Sequence, residues 1–323
     1  MKKRVFSMKV LANDGVSQSG IKALEAAGYE VLTTTVAQEQ LEKYINENDI
    51  SVLLVRSATT VRKNIIDNCH SLKIIGRGGV GMDNIDVDYA RSKGLSVINT
   101  PAASSHSVAE LVFGHFYGLA RYLHNSNRDM PLEGDTKFKN LKKAYAKGTE
   151  LKGKTLGVLG FGRIGQATAK VAIGVGMKVV AFDPFMEKAN LQLDFFDGQK
   201  VNFEIKTISK EEVLKQADFL TLHVPAQKGY VIGEKEFNQM KDGVILANAA
   251  RGGVVDEIAL IKAIENGKVS RAALDVFEKE PQPEMQLLMN PALSLTPHTG
   301  AATNEAQDRI GTELAEQIIN ILG

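Results

Sequence analysis

The segment KTLGVLGFGRIGQ, residues 154–166, decides the fold. It begins as an apolar run typical of a buried strand and passes through Gly160, Gly162 and Gly165, which have the spacing G-x-G-x-x-G. A helix-like stretch, RIGQATAKVAIGVG, follows at once. Here the first glycine makes a tight turn, the second lets the backbone approach a pyrophosphate, and the third lets the helix pack closely on the strand. Because a helix N-terminus also favours phosphate, the segment predicts a Rossmann unit that binds a dinucleotide.

An acidic residue follows at the position that such a unit requires. The next predicted strand, KVVAFD, ends in Asp183, which lies 183 − 165 = 18 positions beyond Gly165. An acid roughly 20 positions after the glycines binds the ribose hydroxyls. Because a carboxylate there repels a 2′-phosphate, Asp183 predicts that the cofactor is NAD rather than NADP.

A second glycine loop, IGRGGVGMDNI at 75–85, has the same spacing without the same context. The next helix is expected only after a cap at Asp86, and the following strand ends in Asn99 instead of an acid. Arg77 lies inside the loop, beside backbone N–H groups that glycine leaves uncovered, and this combination suits a small anion. Taken alone, the loop fits a tight turn with a surface arginine equally well. We interpret it as the substrate loop.

Short apolar, β-branched runs alternate with helix-like segments along the chain, which indicates an α/β fold with two doubly wound parallel sheets. The predicted strands are 31–35, 51–57, 72–77, 95–100, 154–160, 178–183, 219–224, 243–250, 272–277 and 293–298. The segment 201–208 alternates with polar residues and predicts an edge strand or a loop excursion. We also predict a long helix at 105–130, a polar surface connection at 137–154 and a terminal helix at 304–322, which the pattern assigns to neither sheet.

The composition is that of a soluble globular protein. Of 323 residues, 44% are hydrophobic and 24% are charged, with a net charge of +1 and no dense basic tract, so neither nucleic acid nor an anionic membrane is an expected partner. The apolar run after the basic start is broken at Asn13 and Asp14, too early for a signal peptide or a membrane span. The single cysteine, Cys69, excludes an internal disulfide and fits a reducing, cytoplasmic location. We expect no metal site.

Polar residues follow several predicted strands, and ligands of open parallel sheets bind beyond the carboxyl ends of the strands. These residues are His223, Arg251, Asp275, Glu280 and His298. The guanidinium fork of Arg251 suits a carboxylate or a carbonyl that gains negative charge. Each residue alone has an ordinary structural explanation, and a histidine at a strand end often only packs or caps. Together with a dinucleotide, however, an arginine, a glutamate and a histidine are what hydride transfer to or from a hydroxy acid requires.

Longer motifs resemble the D-isomer-specific 2-hydroxyacid dehydrogenases over nearly the whole chain. They are VRSAT, IGRGGVGMDNID, GTELKGKTLGVLGFGRIGQ, NAARGGVVDE, AALDVFEKEP and TPHTGAAT. The resemblance implies a Rossmann NAD-binding domain at 100–297, inserted into a flavodoxin-like substrate-binding domain made of 1–99 and 298–323. It also implies that the active site lies between the two domains and that the terminal helix belongs to the substrate-binding domain.

The resemblance assigns catalysis to Arg251, Glu280 and His298. His298 takes the hydroxyl proton as the C2 hydride leaves for the nicotinamide, Glu280 pairs with His298 and favours its protonated form, and Arg251 binds the C1 carboxylate and polarises the C2 oxygen. The implied cofactor contacts are Gly160, Gly162, Arg163, Ile164, Gly165, Asp183, His223, Pro225, Ala249, Asp275 and Gly300. The implied substrate contacts are Arg56, Ser57, Arg77, Gly78, Gly79, Asn84 and Arg121, the last on the helix by which these enzymes form homodimers or dimers of dimers.

Two segments depart from the family pattern. The loop after His223 is slightly short, and the stretch 190–208 is long and has no assigned role. Longer members carry an added domain that binds serine; because the sequence ends at Gly323, we expect no such domain.

Arg56 and Arg77 favour a phosphorylated D-2-hydroxy acid as the substrate, with reduction of glyoxylate or hydroxypyruvate and D-lactate-type activity as alternatives. A formate dehydrogenase fits less well, because that group has an amide where Glu280 stands. A non-catalytic NAD-sensing corepressor on the same fold is the alternative of another class.

Overall fold

The computed structural model describes residues 8–323, and these form two compact units. The first unit comprises residues 8–105 together with Ala301–Gly323, and the second unit is His106–Gly300. The family resemblance implied boundaries at 99/100 and 297/298, and the two compact units divide at 105/106 and 300/301. None of the described helices is long and apolar enough to cross a membrane.

The elements alternate along both units. The strands are β1 (Met8–Ala12), β2 (Tyr29–Leu32), β3 (Ile50–Val55), β4 (Ile74–Arg77), β5 (Ser96–Asn99), β6 (Thr155–Leu159), β7 (Lys178–Phe182), β8 (Lys188–Asp194), β9 (Lys200–Lys206), β10 (Phe219–Leu222), β11 (Val244–Asn248), β12 (Val269–Leu274) and β13 (Leu293–Leu295). The helices are α1 (Gln18–Ala26), α2 (Leu41–Glu47), α3 (Lys63–Asn68), α4 (Val87–Ser92), α5 (Ser105–Ala120), α6 (Leu123–Glu133), α7 (Phe138–Ala144), α8 (Arg163–Val175), α9 (Lys210–Gln216), α10 (Glu234–Gln239), α11 (Glu257–Glu265), α12 (Met285–Leu288) and α13 (Asn304–Leu322), with a 3₁₀ turn at Gln38–Gln40.

The first unit is a parallel sheet with the strand order β2-β1-β3-β4-β5, which is the flavodoxin-like order. Its central strand β3 is buried at all six residues, as expected for a parallel strand with both faces covered. The terminal helix α13 buries Ile310, Leu314 and Ile318 in this unit. It approaches α1 so closely that a Cβ on Gly20 would lie 2.7 Å from the carbonyl oxygen of Gly311.

The second unit is a six-stranded parallel sheet with the order β13-β12-β11-β10-β6-β7. Beyond β7, Thr207 forms a single parallel bridge to Ala181. With that bridge counted as the third strand, the order becomes the 3-2-1-4-5-6 of the Rossmann fold, extended by one strand. The prediction of an α/β fold with two doubly wound parallel sheets is therefore confirmed.

The long segment without an assigned role forms an antiparallel hairpin of β8 and β9. The sequence predicted an edge strand or a loop at 201–208 and did not predict β8. One face of the hairpin, which includes the fully buried Leu191, packs on the core of the second unit. Phe195 and Phe196 at its tip are exposed. The hairpin replaces most of the third Rossmann strand, and only Thr207 joins the parallel sheet.

The prediction of one continuous helix at 105–130 is wrong. The chain breaks after α5, where Tyr122 has a φ of +56°, and α6 begins at Leu123. The cause lies in β12: Arg271 donates to the carbonyl oxygen of Leu119, and its guanidinium lies 4.1 Å from the ring centroid of Tyr122. The polar connection predicted at 137–154 also contains a short helix, α7.

Candidate active site

The glycines at 160–165 follow β6 in the arrangement that the sequence predicted. Gly160 has a φ of +89°, and a Cβ there would lie 2.5 Å from the carbonyl oxygen of His223. A Cβ on Gly165 would lie 2.2 Å from the carbonyl oxygen of Gly160, so α8 packs against the turn only because residue 165 is glycine. Gly162 is the N-cap of α8, and a Cβ on it would meet no described atom within 4 Å. Close packing thus requires glycine at 160 and 165, whereas Gly162 leaves the backbone at the start of α8 uncovered.

Asp183 comes directly after β7 and is fixed against the glycine loop. Its Oδ2 accepts the N–H of Phe161 at 2.7 Å, and its Oδ1 accepts the N–H of Phe185 at 2.9 Å. These two bonds orient the carboxylate beside the turn that would hold the pyrophosphate. Arg163 and Ile164 begin α8 behind that turn.

His223 follows β10 and has a neutral ring. Its Nε2 lies 3.2 Å from Thr168 Oγ1 and 3.1 Å from Thr221 Oγ1. Burial lowers the pKa of His223 to about 3, because the ring has lost the water that would stabilise its charged form. The ring therefore carries no charge near neutral pH and does not suit acid–base work there. Pro225 follows it on an exposed loop, and Ala249 follows β11.

This buried histidine makes the stability of the second unit sensitive to acid. The unfolded chain takes up a proton at His223 below about pH 6.5, whereas the native state takes it up only near a pKa of about 3. Stability is thus fully present above 6.5 and is lost progressively as the pH falls towards 3, by at most about 1.4 kcal/mol per pH unit.

We expect His223→Gln to lose less stability than the wild type between pH 7 and pH 5, by up to about 2 kcal/mol. Urea denaturation at the two pH values measures this difference, with the exposed His70→Gln as the control. An acid sensitivity that is the same in both variants and the wild type would contradict the assignment.

Arg251 lies on a tight turn after β11. The side chain of Asn248 shapes this turn by donating to the carbonyl oxygen of Arg251 at 3.0 Å and accepting the N–H of Ala250 at 3.1 Å. Arg251 Nη1 donates to the carbonyl oxygen of Ala250 at 2.6 Å. A Cβ on Gly252 would lie 1.8 Å from the carbonyl oxygen of Phe277, so only glycine lets the turn reach the segment after β12. Sequence analysis missed Asn248, although it stands at a strand end in NAARGG.

His298 and Glu280 form a hydrogen-bonded pair. Nδ1 of His298 lies 2.8 Å from Glu280 Oε2, and Oε1 of Glu280 accepts the N–H of Phe277 at 3.0 Å. Because Glu280 is the acceptor, Nδ1 carries a hydrogen and Nε2 is the ring atom that can take or release a proton. His298 has a φ of +54°, a conformation that residues other than glycine adopt rarely and that clusters at functional sites.

Asp275 holds the segment that carries His298. Its carboxylate is buried and accepts hydrogen bonds from Thr296 Oγ1 at 2.6 Å, Thr299 N at 2.8 Å and Gly300 N at 2.9 Å. Its carbonyl oxygen accepts the N–H of His298 at 2.8 Å. Whatever its contact with a cofactor, Asp275 fixes the backbone on both sides of His298.

The first unit contains the second glycine loop, after β4. A Cβ on Gly79 would lie 2.2 Å from Nη1 of Arg77, so the guanidinium lies directly on the Gly79 backbone. The N–H of Gly78 donates to the carbonyl oxygen of Val55, and the N–H of Gly79 donates to that of Arg77, both at 2.9 Å. The expectation that glycine leaves these N–H groups uncovered is wrong for these two residues. An anion at this loop would have to meet the guanidinium instead.

Two side chains shape the loop that holds Arg56 and the exposed Ser57. Asn84 Nδ2 donates to the carbonyl oxygens of Arg56 and Thr59, both at 2.6 Å. Asp14 accepts the N–H of Arg56 at 2.6 Å and the hydroxyl of Thr59 at 2.6 Å. Asn84 thus positions Arg56, and Asp14 was missed by the sequence analysis although it stands just after β1.

Arg121 lies in the second unit at the break after α5 and is exposed. A Cβ on Gly148 would lie 2.9 Å from its Nε, so its stem packs on that backbone.

Within the second unit, the predicted residues meet at one edge of the sheet. The strands that precede them are parallel, so their carboxyl ends point the same way. The residues that follow these ends are Gly160, Asp183, His223, Arg251, Asp275 and His298.

Comparisons with known proteins agree with this arrangement. A family model described as "D-isomer specific 2-hydroxyacid dehydrogenase, NAD binding domain" matches residues 113–300. The D-3-phosphoglycerate dehydrogenase of Methanocaldococcus jannaschii is 42% identical over 318 residues, 98% of this chain and 57% of that protein. The hydroxypyruvate reductase of Thermotoga maritima is 41% identical over 98% of both chains. The crystal structure of a glyoxylate reductase from Paecilomyes thermophila has a TM-score of 0.78 and 29% identity, over 96% of this chain and 94% of that one.

The chain belongs to the D-isomer-specific 2-hydroxyacid dehydrogenase family, a family of NAD-dependent oxidoreductases. The matched model identifies the second unit as the NAD-binding domain, which confirms the resemblance and the cofactor predicted from the glycine loop. The chain spans just over half the length, 57%, of the phosphoglycerate dehydrogenase relative, whereas it spans 98% of the hydroxypyruvate reductase relative.

Proposed function

We propose that the protein is an NAD-dependent dehydrogenase of D-2-hydroxy acids. The observation that carries this proposal is the His298–Glu280 pair, with 2.8 Å between Nδ1 and Oε2, on the same sheet edge as the glycine loop. A histidine whose Nδ1 is fixed by a carboxylate presents Nε2 as a general acid or base. A dinucleotide site on the same edge supplies the hydride chemistry.

In the proposed mechanism, the glycine loop at 160–165 and Asp183 would hold NAD, which would supply the acceptor for a hydride from C2 of the substrate, or the hydride donor in reduction. His298 Nε2 removes the proton of the C2 hydroxyl and returns it in reduction. Glu280 keeps the ring oriented by accepting the hydrogen of Nδ1. Arg251 binds the C1 carboxylate and stabilises negative charge on the C2 oxygen. Pro225 and Ala249, which follow β10 and β11, would line the cofactor.

For the substrate, we propose D-3-phosphoglycerate, which would be oxidised to 3-phosphohydroxypyruvate in the first step of serine biosynthesis. Relatives named D-3-phosphoglycerate dehydrogenase support the proposal. The presence of Arg56 and Arg77 on neighbouring loops of the first unit also supports it. The second candidate is reduction of hydroxypyruvate or glyoxylate, since the relative covered over 98% of its length is a hydroxypyruvate reductase.

A panel of 2-oxo acids, with and without a phosphate at C3, distinguishes these candidates through kcat/KM for NADH oxidation. The proposal predicts the highest value for 3-phosphohydroxypyruvate. A higher value for hydroxypyruvate or glyoxylate would select the second candidate. NADH binding without turnover of any 2-oxo acid would favour a non-catalytic NAD-sensing protein.

Arg77→Ala tests the substrate loop. We expect kcat/KM to fall by roughly 10- to 100-fold more for 3-phosphohydroxypyruvate than for hydroxypyruvate, because a hydrogen bond to a charged group contributes about 1.5–3 kcal/mol. NADH affinity, measured by fluorescence titration, should stay near that of the wild type. The exposed Arg91→Ala, in the same unit, is the control for loss of a positive charge.

Two outcomes would overturn this assignment. Equal losses on both substrates would place Arg77 at the carboxylate that they share. A loss of NADH binding would mean that the two glycine loops have been assigned the wrong way round.

A further inference from the structure

A buried histidine in the middle of α5 contacts the strand that leads to His298. His115 is 7% exposed on a helix whose buried face is otherwise almost entirely apolar. Its Nδ1 lies 2.9 Å from Ser294 Oγ, and its Nε2 lies 3.1 Å from Thr296 Oγ1. Burial lowers the pKa of His115, so the ring is neutral and only one of its nitrogens carries a hydrogen.

The direction of each hydrogen bond follows from counting protons. A carboxylate only accepts hydrogen bonds, and that of Asp275 already accepts two backbone N–H groups. The Thr296 hydroxyl, 2.6 Å from Asp275 Oδ1, therefore donates its single proton to this carboxylate. Thr296 must therefore accept from His115, which places the ring hydrogen on Nε2. Nδ1 is then an acceptor, and Ser294 donates to it. The result is a one-way chain from Ser294 through His115 and Thr296 to Asp275.

This chain of hydrogen bonds ends at Asp275, which holds the backbone around His298. Asp275 accepts the N–H groups of Thr299 and Gly300 through its carboxylate and that of His298 through its carbonyl oxygen. These bonds surround a residue with a φ of +54°, which persists only where its surroundings impose it. The carboxylate itself would lose a donor if the Thr296 hydroxyl were absent, and the Thr296 hydroxyl would lose its orientation if His115 were absent.

We propose that His115 and Thr296 are positioning residues, which act through Asp275 to hold His298 in the orientation that proton transfer requires. The inference rests on the proposed function, since that function assigns proton transfer to His298. Neither residue contacts the reacting atoms in this scheme. Replacing them should lower kcat rather than raise KM, because they place the proton donor and do not bind the 2-oxo acid.

Two matched pairs of variants test the proposal. Thr296→Val removes the hydroxyl at nearly constant shape, and Thr296→Ser keeps it. His115→Gln can place an N–H near the position of Nε2, whereas the amide of His115→Asn reaches only the position of Nδ1. We expect kcat of the valine and asparagine variants to fall by about 10- to 100-fold, because small displacements of catalytic groups cost factors of this size. KM for the 2-oxo acid should change little, and the serine and glutamine variants should retain most of the turnover.

Amide hydrogen exchange gives a readout that needs no turnover. In Thr296→Val, the N–H groups of Thr299 and Gly300 should exchange faster than in the wild type and in Thr296→Ser, while those of β12 keep their wild-type rates. Wild-type exchange at both residues, or equal kcat losses in the valine and serine variants, would overturn the proposal. If the wild type turns over no 2-oxo acid, the proposed function fails. The exchange result still decides whether the hydrogen bonds from Ser294 to Asp275 order the segment around His298.

Discussion

Replacing His298 with alanine should lower the turnover of a 2-oxo acid by roughly 10²–10⁴-fold, which is the usual contribution of general acid–base catalysis. The reason is local: the ring meets Glu280 at 2.8 Å through Nδ1, so its Nε2 is the proton donor in reduction. NADH affinity should stay near the wild-type value, because the dinucleotide loop is 160–165. Steady-state kinetics and fluorescence titration measure the two effects, with the exposed His70→Ala as the matched control.

Glu280→Gln tests how the pair orients the ring. One oxygen of Glu280 accepts the Nδ1 hydrogen of His298 and the other accepts the N–H of Phe277, whereas the glutamine amide has one oxygen for these two donors. We expect kcat for reduction to fall, because the ring loses part of its support, while NADH affinity stays near the wild-type value. Wild-type kcat in this variant would remove Glu280 from the proton relay, and full turnover in His298→Ala would remove His298 as the proton donor.

The second large effect concerns the cofactor. We expect kcat/KM for NADH to exceed that for NADPH by at least about 100-fold, because like charges brought together cost several kcal/mol. The carboxylate of Asp183 would face the 2′-phosphate, and its bonds to Phe161 N and Phe185 N hold it in place. Equal values for the two cofactors would contradict this assignment.

Two substitutions of Asp183 distinguish charge from loop structure. Asp183→Asn removes the charge and keeps an oxygen that can accept the N–H of Phe161, whereas Asp183→Ala removes both. We expect the preference for NADH to narrow in both variants. A further loss of NADH affinity in the alanine variant alone would report the role of the carboxylate in shaping the turn.

The features that could be predicted from the sequence are those with local causes. The glycine loop was predictable because Gly160 needs a positive φ and Gly165 needs room for a carbonyl oxygen. The terminal helix was predicted at 304–322 and spans Asn304–Leu322, because Thr303 caps an amphipathic run. The resemblance also named His298 and Glu280, which the structure places in contact.

The features that were missed depend on contacts distant in sequence. The helix predicted at 105–130 breaks because Arg271, far along the chain, donates a hydrogen bond to the carbonyl oxygen of Leu119 in α5. The N–H of Gly78 is occupied by the carbonyl oxygen of Val55 on the neighbouring strand, which no local pattern identifies. His115 read as part of an apolar helix, and only the fold brings it to Thr296. The sequence alone does not show which of its distant residues come into contact.

The most direct test of the central claim is to incubate the protein with NADH and 3-phosphohydroxypyruvate or hydroxypyruvate and to analyse the product by chiral chromatography. A D-2-hydroxyacid dehydrogenase should form the D isomer alone, with one NADH oxidised for each molecule of product. Formation of the L isomer, or NADH that is bound but not oxidised with either acid, would contradict the account.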